Sequence, residues 1–362
     1  MTGKPTPSSA HNWGGQDGCT AFVSMHAKYP DLSDRTKAEE GIAAHKAAAA
    51  MLLGTPPPEE MDPETVAKLQ TYVSDVQTMS KGQEIHVEEK ITCSRIHPES
   101  EGYIDVWSFV PEDGTLYIWD LKWGNTIVDA FEFLQGICYA GGLLERIGMP
   151  EHKVLVQIRI VQPNSWLTSD PISTWTVRAE NLRPYINQLE TAAHEAMSDS
   201  PTARSGPQCL QCNARHDCQT SVSAGVRMFE AASEPTPLDL TPEALGKQLK
   251  FVRRACKQLE AIKASTEQHV NSLVAAGESV PGWELSPQTS REKWTAPTQI
   301  VEELGTLLGL KLTKIAPVTP NQARALGIPE DLLAMYSRRP KATYKLTEID
   351  AKKRFRKGEL TI

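Results

Sequence analysis

Residues 114–122, "GTLYIWDLK", decide the fold: a glycine turns the chain, and a strand follows. Side chains alternate along a strand, so Asp120 and Lys122 share one face while Leu121 points to the other. A carboxylate and an ammonium are costly to bury unless something pairs with them. This strand end is therefore built to hold something.

The flanking sequence says what kind of sheet carries it. "PEDG" (111–114) joins the strand to "YIDVWSFV" (103–110), and "EIHVEEKIT" (84–92) is a third β-rich run. Before them, "AEEGIAAHKAAAAMLL" (38–53) predicts a helix ended by Gly54 and Pro56–Pro58, and a second helix runs over 63–79 with Asp62 as N-cap. After them come a helix over 128–147, strands at 153–161 and 173–178, and a helix over 181–197. The helix after the third strand must cross over to reach the fourth, which makes an α/β core with a mixed sheet. A loop at 198–208 leads into a cysteine-rich knot, 241–276 predicts a protruding polar helix or helical hairpin, and a small module begins at 281. The division expected is 1–225, 235–280 and 281–362.

The composition, 40% hydrophobic and 23% charged over 362 residues, is that of a soluble globular protein. No apolar run reaches a membrane span, and the N-terminus lacks a signal-peptide pattern, so a reducing cytoplasm and unpaired thiols are expected for the seven cysteines. The formal charge of −7 hides a basic tail: from Ser337 to Ile362 nine Lys and Arg stand against three acids. Such a tail suits a phosphate backbone or a solvated helix. Near it, Tyr336, Tyr344 and Phe355 are candidates for stacking on unpaired bases or for packing.

Asp105 lies one hairpin before Asp120. Two hard carboxylates converging from adjacent strands suit Mg²⁺ or Mn²⁺, and Lys122 beside them can hold a phosphate or stabilise developing charge. D-x-K alone is more often an ordinary ion pair. Gln135 and Tyr139, four apart, share one face of the following helix, and His45 lies within the Ala-rich helix. Glu40 reads as a first-turn acid, and either Glu88 or Glu89 can face the metal.

"CLQCNARHDC" spaces Cys209, Cys212 and Cys218 as C-x₂-C-x₅-C, with Cys19 far upstream. By spacing, a [4Fe–4S] cluster and a tetrahedral zinc site using His216 stand level. Cys93, Cys138 and Cys256 read as plain buried residues.

Taken in order, His45, Asp105, Asp120-Leu121-Lys122 and Gln135-x-x-x-Tyr139 resemble the RecB-type nuclease branch of the PD-(D/E)XK superfamily, with its restriction-endonuclease-like core. The resemblance implies that His45, Asp105, Asp120 and the Leu121 carbonyl bind the divalent metal, that Lys122 is catalytic, and that Gln135 and Tyr139 lie beside the active site and the DNA. One N-terminal cysteine plus the C-x₂-C-x₅-C group is similar to the iron–sulfur arrangement of AddB-type helicase–nucleases and CRISPR-associated adaptation nucleases. This implies a [4Fe–4S] staple held by Cys19, Cys209, Cys212 and Cys218, with structural Zn²⁺ the alternative. Residues 8–220 also resemble phage and prophage proteins carrying this core. The expectation is a Mg²⁺- or Mn²⁺-dependent deoxyribonuclease, an exonuclease of recombination, repair or replication in the bacterial cytoplasm. It would act on single- or double-stranded DNA ends beside a phage recombinase or single-strand-binding protein, with no membrane partner. The rival readings are a non-catalytic DNA-binding assembly component and a structure-specific endonuclease.

Overall fold

The computed structural model describes residues 3–29, 36–58, 61–168, 170–233, 240–283 and 306. The chain divides into two units, Met1–Leu285 and Ser286–Ile362; the sheet, the site and the cysteine knot all belong to the first. The basic tail, Tyr336, Tyr344, Phe355 and nearly all of the module expected over 281–362 lie outside the described residues.

Five strands form one sheet in chain order: β1 (His86–Thr92), β2 (Glu101–Val110), β3 (Thr115–Leu121), β4 (Leu155–Val161) and β5 (Ile172–Arg178). All neighbours are antiparallel except β3 and β4, whose parallel pairing follows the crossover through α5 (Leu134–Ile147). The sheet is mixed and flanked by helices on both faces, an α/β architecture.

One face carries α3 (Thr36–Leu52) and α4 (Pro63–Met79), where Ala44, Ala47, Ala48, Leu69, Tyr72 and Val76 meet Val106, Tyr117, Trp119 and Leu121. Alanines let α3 lie close to the strands. Asp62 caps α4 by accepting the Thr65 N–H at 2.8 Å. The other face packs α5 and α6 (Arg183–Ala196) against Leu116, Ile118 and Ile158, joined by the short N-terminal helices α1 (Ala10–Trp13) and α2 (Phe22–Lys28). Beneath β3, the Arg159 guanidinium grips Asp75 with Nε–Oδ2 and Nη2–Oδ1 distances of 2.7 and 2.5 Å, and the Trp119 indole N–H donates to the same carboxylate. Removing one partner of so buried a pair costs about 3–5 kcal/mol. It locks β3, β4 and α4 together.

Helix α5 starts at Leu134 rather than near 128. Gln162, just past β4, holds the preceding loop extended: it accepts the Val128 N–H at 2.7 Å and donates to the Thr126 carbonyl at 2.9 Å. Beyond the sheet, the structure adds a helix that the sequence reading lacks, α7 (Gln219–Ser233), and the polar stretch after 241 is one long helix, α8 (Pro242–Ala275), paired with α7. The two approach closely at Gly225, where a Cβ would come within 2.9 Å of the Ile262 side chain. Cys93 and Cys138 are buried as expected, but Cys256 is exposed on α8, on a face that α7 does not cover. Among the described residues no helix is long and apolar enough to cross a membrane.

Candidate active site and metal centre

The site forms where the strands stop alternating regularly. Ile85 and Val87 pack toward α3 and α4, yet Ile91, of the same parity, packs into the α5 core. Between them Glu88 has a left-handed backbone, φ 50°. On β2 the same inversion falls at Asp105: Val106 packs against α3 and α4, and Ile104 into the α5 core. Glu88 and Asp105 face each other between the paired positions Val87–Val106 and Glu89–Ile104. A non-glycine left-handed residue costs about 1–3 kcal/mol and persists only where its surroundings demand it.

The β2–β3 ladder ends at Val106–Trp119, and the next rung would pair Asp105 with Asp120. There the Asp105 side chain replaces the ladder bond: its Oδ2 accepts the Leu121 N–H at 2.7 Å, while Oδ1 lies 3.4 Å from His45 Nδ1 on α3. One ligand atom from each of His45, Glu88 and Asp105 comes within 4.8 Å of the others. Two carboxylates are hard donors and the imidazole a borderline one, a set that fits Mn²⁺, and Mg²⁺ with added waters. An open groove of about 850 Å³ along α3 leads to His45 and Glu88.

The expected ligand set is thus assembled in part. His45 and Asp105 come together with Glu88, whereas Asp120 stands outside that trio, its Oδ2 2.8 Å from Lys122 Nζ. Asp120 is buried, and its Oδ2 has no other donor within reach. Burial pushes its carboxyl up to about 6, against the pull of Lys122 and with a further push from Asp105. For His45, burial works to lower the pKa, but Asp105 and then Asp120 and Glu88 outweigh it and the imidazole is raised. Glu88 is raised by burial and by Asp105. The cluster carries more negative charge than its neighbours balance.

Lys122 also donates to Gln135 Oε1 at 3.2 Å and lies 5.3 Å from the centre of the Phe133 ring. Gln135 therefore touches the lysine directly. Tyr139 differs from expectation: it is buried, and its hydroxyl donates to the Tyr103 carbonyl at 2.7 Å. It anchors β2 two residues before Asp105 and reaches no substrate surface. Gly102 makes room, since a Cβ there would come within 2.7 Å of that hydroxyl. Glu89 turns away to Arg146, Trp107 and His86, and Glu40 is exposed on α3. Glu88, ranked second in sequence, is the acid that joins the cluster; a pair of adjacent glutamates in a strand was the signal, without the means to choose.

Far along the chain, the four cysteines converge. Cys19, Cys209 and Cys212 are buried and Cys218 half-buried. Burial raises the Cys19 thiol, with Cys209 and Cys218 adding to it; burial raises Cys212 to about 11, with all three other thiols contributing. Backbone N–H groups aim at sulfur, from Arg204 to Cys19 at 3.3 Å and from Gly206 to Cys209 at 3.5 Å. Thiols so grouped and so supplied with donors fit a metal or cluster bound by thiolates. His216 turns away to α8, 2.9 Å from Ser265 Oγ and stacked on His269.

Other bonds tie the same ends. Thr202 N–H donates to Thr20 Oγ1 at 2.9 Å, Asn12 to Gln211 at 3.0 Å, and the Asn213 N–H to His26 Nδ1 at 3.2 Å. Over residues 6–315, most of its length, the chain matches the family described as protein of unknown function (DUF2800), and it belongs to that family.

Proposed function

We propose that this protein is a divalent-metal-dependent deoxyribonuclease of the PD-(D/E)XK type, acting on DNA ends in the bacterial cytoplasm during recombination, repair or replication. The observation that carries the reading is the trio His45, Glu88 and Asp105 set against the buried Asp120 and its half-buried partner Lys122 at the end of β3. A binding module has no use for so much uncompensated carboxylate.

A cation held by the trio would supply positive charge for the phosphate and an acidified water. His45, Glu88 and Asp105 bind it, and the Leu121 N–H fixes the Asp105 carboxylate. Asp120 orients the Lys122 ammonium, Gln135 holds it from the other side, and the ammonium stands ready for the charge that develops on the scissile phosphate. The cysteine group supports a [4Fe–4S] cluster of structural role. Structural Zn²⁺ held by the same thiols is the alternative.

The deciding experiment incubates end-labelled single- and double-stranded DNA with the protein and Mn²⁺, Mg²⁺ or EDTA. Cleavage that needs the metal and is lost in Lys122→Ala supports the reading; DNA binding without cleavage under every metal overturns it in favour of an assembly component.

A further inference from the structure

Tyr72, on α4, is 2% exposed, and its hydroxyl has no hydrogen-bond partner. A buried unpaired hydroxyl costs about 1–3 kcal/mol, so its retention calls for a reason. The reason lies above it. A cavity of about 10 Å³, close to the room one water needs, is lined by Tyr72, His45, Glu88 and Asp105 among apolar side chains of α3, β1, β2 and β3. Burial first, and then the charges of Asp105, Asp120, Glu88 and Asp75, hold the phenol protonated, so it acts as a donor. A water needs two to four polar partners, and the lining supplies them in the Tyr72 hydroxyl and the side chains of His45, Glu88 and Asp105.

We propose that Tyr72 is a positioning residue of the metal centre: its hydroxyl donates to one water in this cavity, and that water donates onward to the Glu88 and Asp105 carboxylates. Each carboxylate then turns its remaining oxygen outward, toward the cation. The inference rests on reading His45, Glu88 and Asp105 as the cation's ligands. Nothing in the tyrosine's sequence context marks it, since it falls on the apolar stripe of α4.

Tyr72→Phe keeps the ring and its packing and removes only the donor. Mn²⁺ binding is measured without DNA, by calorimetry or by the loss of free-ion electron paramagnetic resonance signal, and thermal melting is measured in EDTA. The expected result is a Mn²⁺ dissociation constant raised about tenfold, as for lost partners of metal ligands elsewhere, with a melting temperature no higher than that of the wild type. An unchanged Mn²⁺ affinity overturns the proposal. So does a variant that melts higher in EDTA, because that is the behaviour of a hydroxyl orphaned in a dry cavity. Wild-type protein that binds no Mn²⁺ overturns the metal reading itself, a result distinct from either.

Discussion

Glu88 faces Asp105 across the β1–β2 ladder, at the one position in the five strands where a residue has a left-handed backbone. Two unfavourable terms meet there. Like charges directly opposite on a sheet repel, and a side-chain-bearing residue in the left-handed region is strained. A divalent cation between the carboxylates would offset the repulsion between them.

Glu88→Asn tests this, because Asn tolerates the left-handed region and carries no charge. In EDTA the variant should be more stable than wild type by about 1 kcal/mol. Its melting temperature should also rise less on adding Mn²⁺, as ligand linkage requires when affinity falls. A variant that loses stability in EDTA would show that Glu88 is held by other contacts.

Tyr139 and Lys122 should separate by role. Lys122→Ala should lower metal-dependent cleavage by about 10²–10³-fold, the range for one lost charge-stabilising donor. Tyr139→Phe loses a single bond to the Tyr103 carbonyl, so about 1 kcal/mol of stability and less than tenfold in turnover are expected. Single-turnover rates at saturating DNA check this; equal losses would put Tyr139 in the chemistry.

Asp120 predicts a pH dependence. Its carboxyl, pushed up to about 6 from 3.8, binds a proton more tightly in the folded chain than in the unfolded one. Its contribution is therefore fully present below about pH 4 and is lost as pH rises through about 6. Denaturant melts in EDTA should show wild-type stability falling relative to Asp120→Asn across that window, by at most about 3 kcal/mol. A difference that stays flat from pH 4 to 7 would place the carboxylate in a wetter setting.

The cysteine group predicts colour. Protein purified without oxygen should be brown and hold about four irons per chain, the content of one [4Fe–4S] cluster. Cys212→Ala should bleach it and lower its melting temperature, because a cross-link closing so long a loop restrains the unfolded chain by up to about 5 kcal/mol. Colourless protein with one zinc would replace the cluster and leave the nuclease reading intact.

The strands, the crossover and the helices over 63–79 and 181–197 are legible from their periodicity, and Asp62 caps the first of these helices as its sequence implies. His45, Asp105, Asp120 and Lys122 were legible as a set only through their order. Glu88 could not be told from Glu89, since strict alternation assigns one of two neighbours to a face by parity, and the left-handed residue inverts parity at that point. The sequence around 128 does not reveal the later start of α5, because Gln162, just past β4, binds the backbone of 126–128. Tyr139 carried a motif's expectation of surface contact, and its burial depends on Gly102, a neighbour visible only in three dimensions.

The bonds joining residues 12, 20 and 26 to residues 202–213 also set the order in which this chain takes shape at the ribosome. The N-terminal helices emerge first, but their partners appear only some 190 residues later, a delay of roughly 10–40 s at ordinary elongation rates. Trp13 and Phe22 share their core with the strands, α5 and α6, all made before residue 197, so their apolar contacts precede the closing of these bonds. Closure of the bonds must wait for the segment around Cys209, Cys212 and Cys218, made after the sheet, α5 and α6 but before α7 and α8. A chain interrupted before residue 209 should therefore keep its N-terminal helices on the core by apolar contact but lack the Asn12 and His26 bonds, and proteases should cut it there sooner than the longer chain.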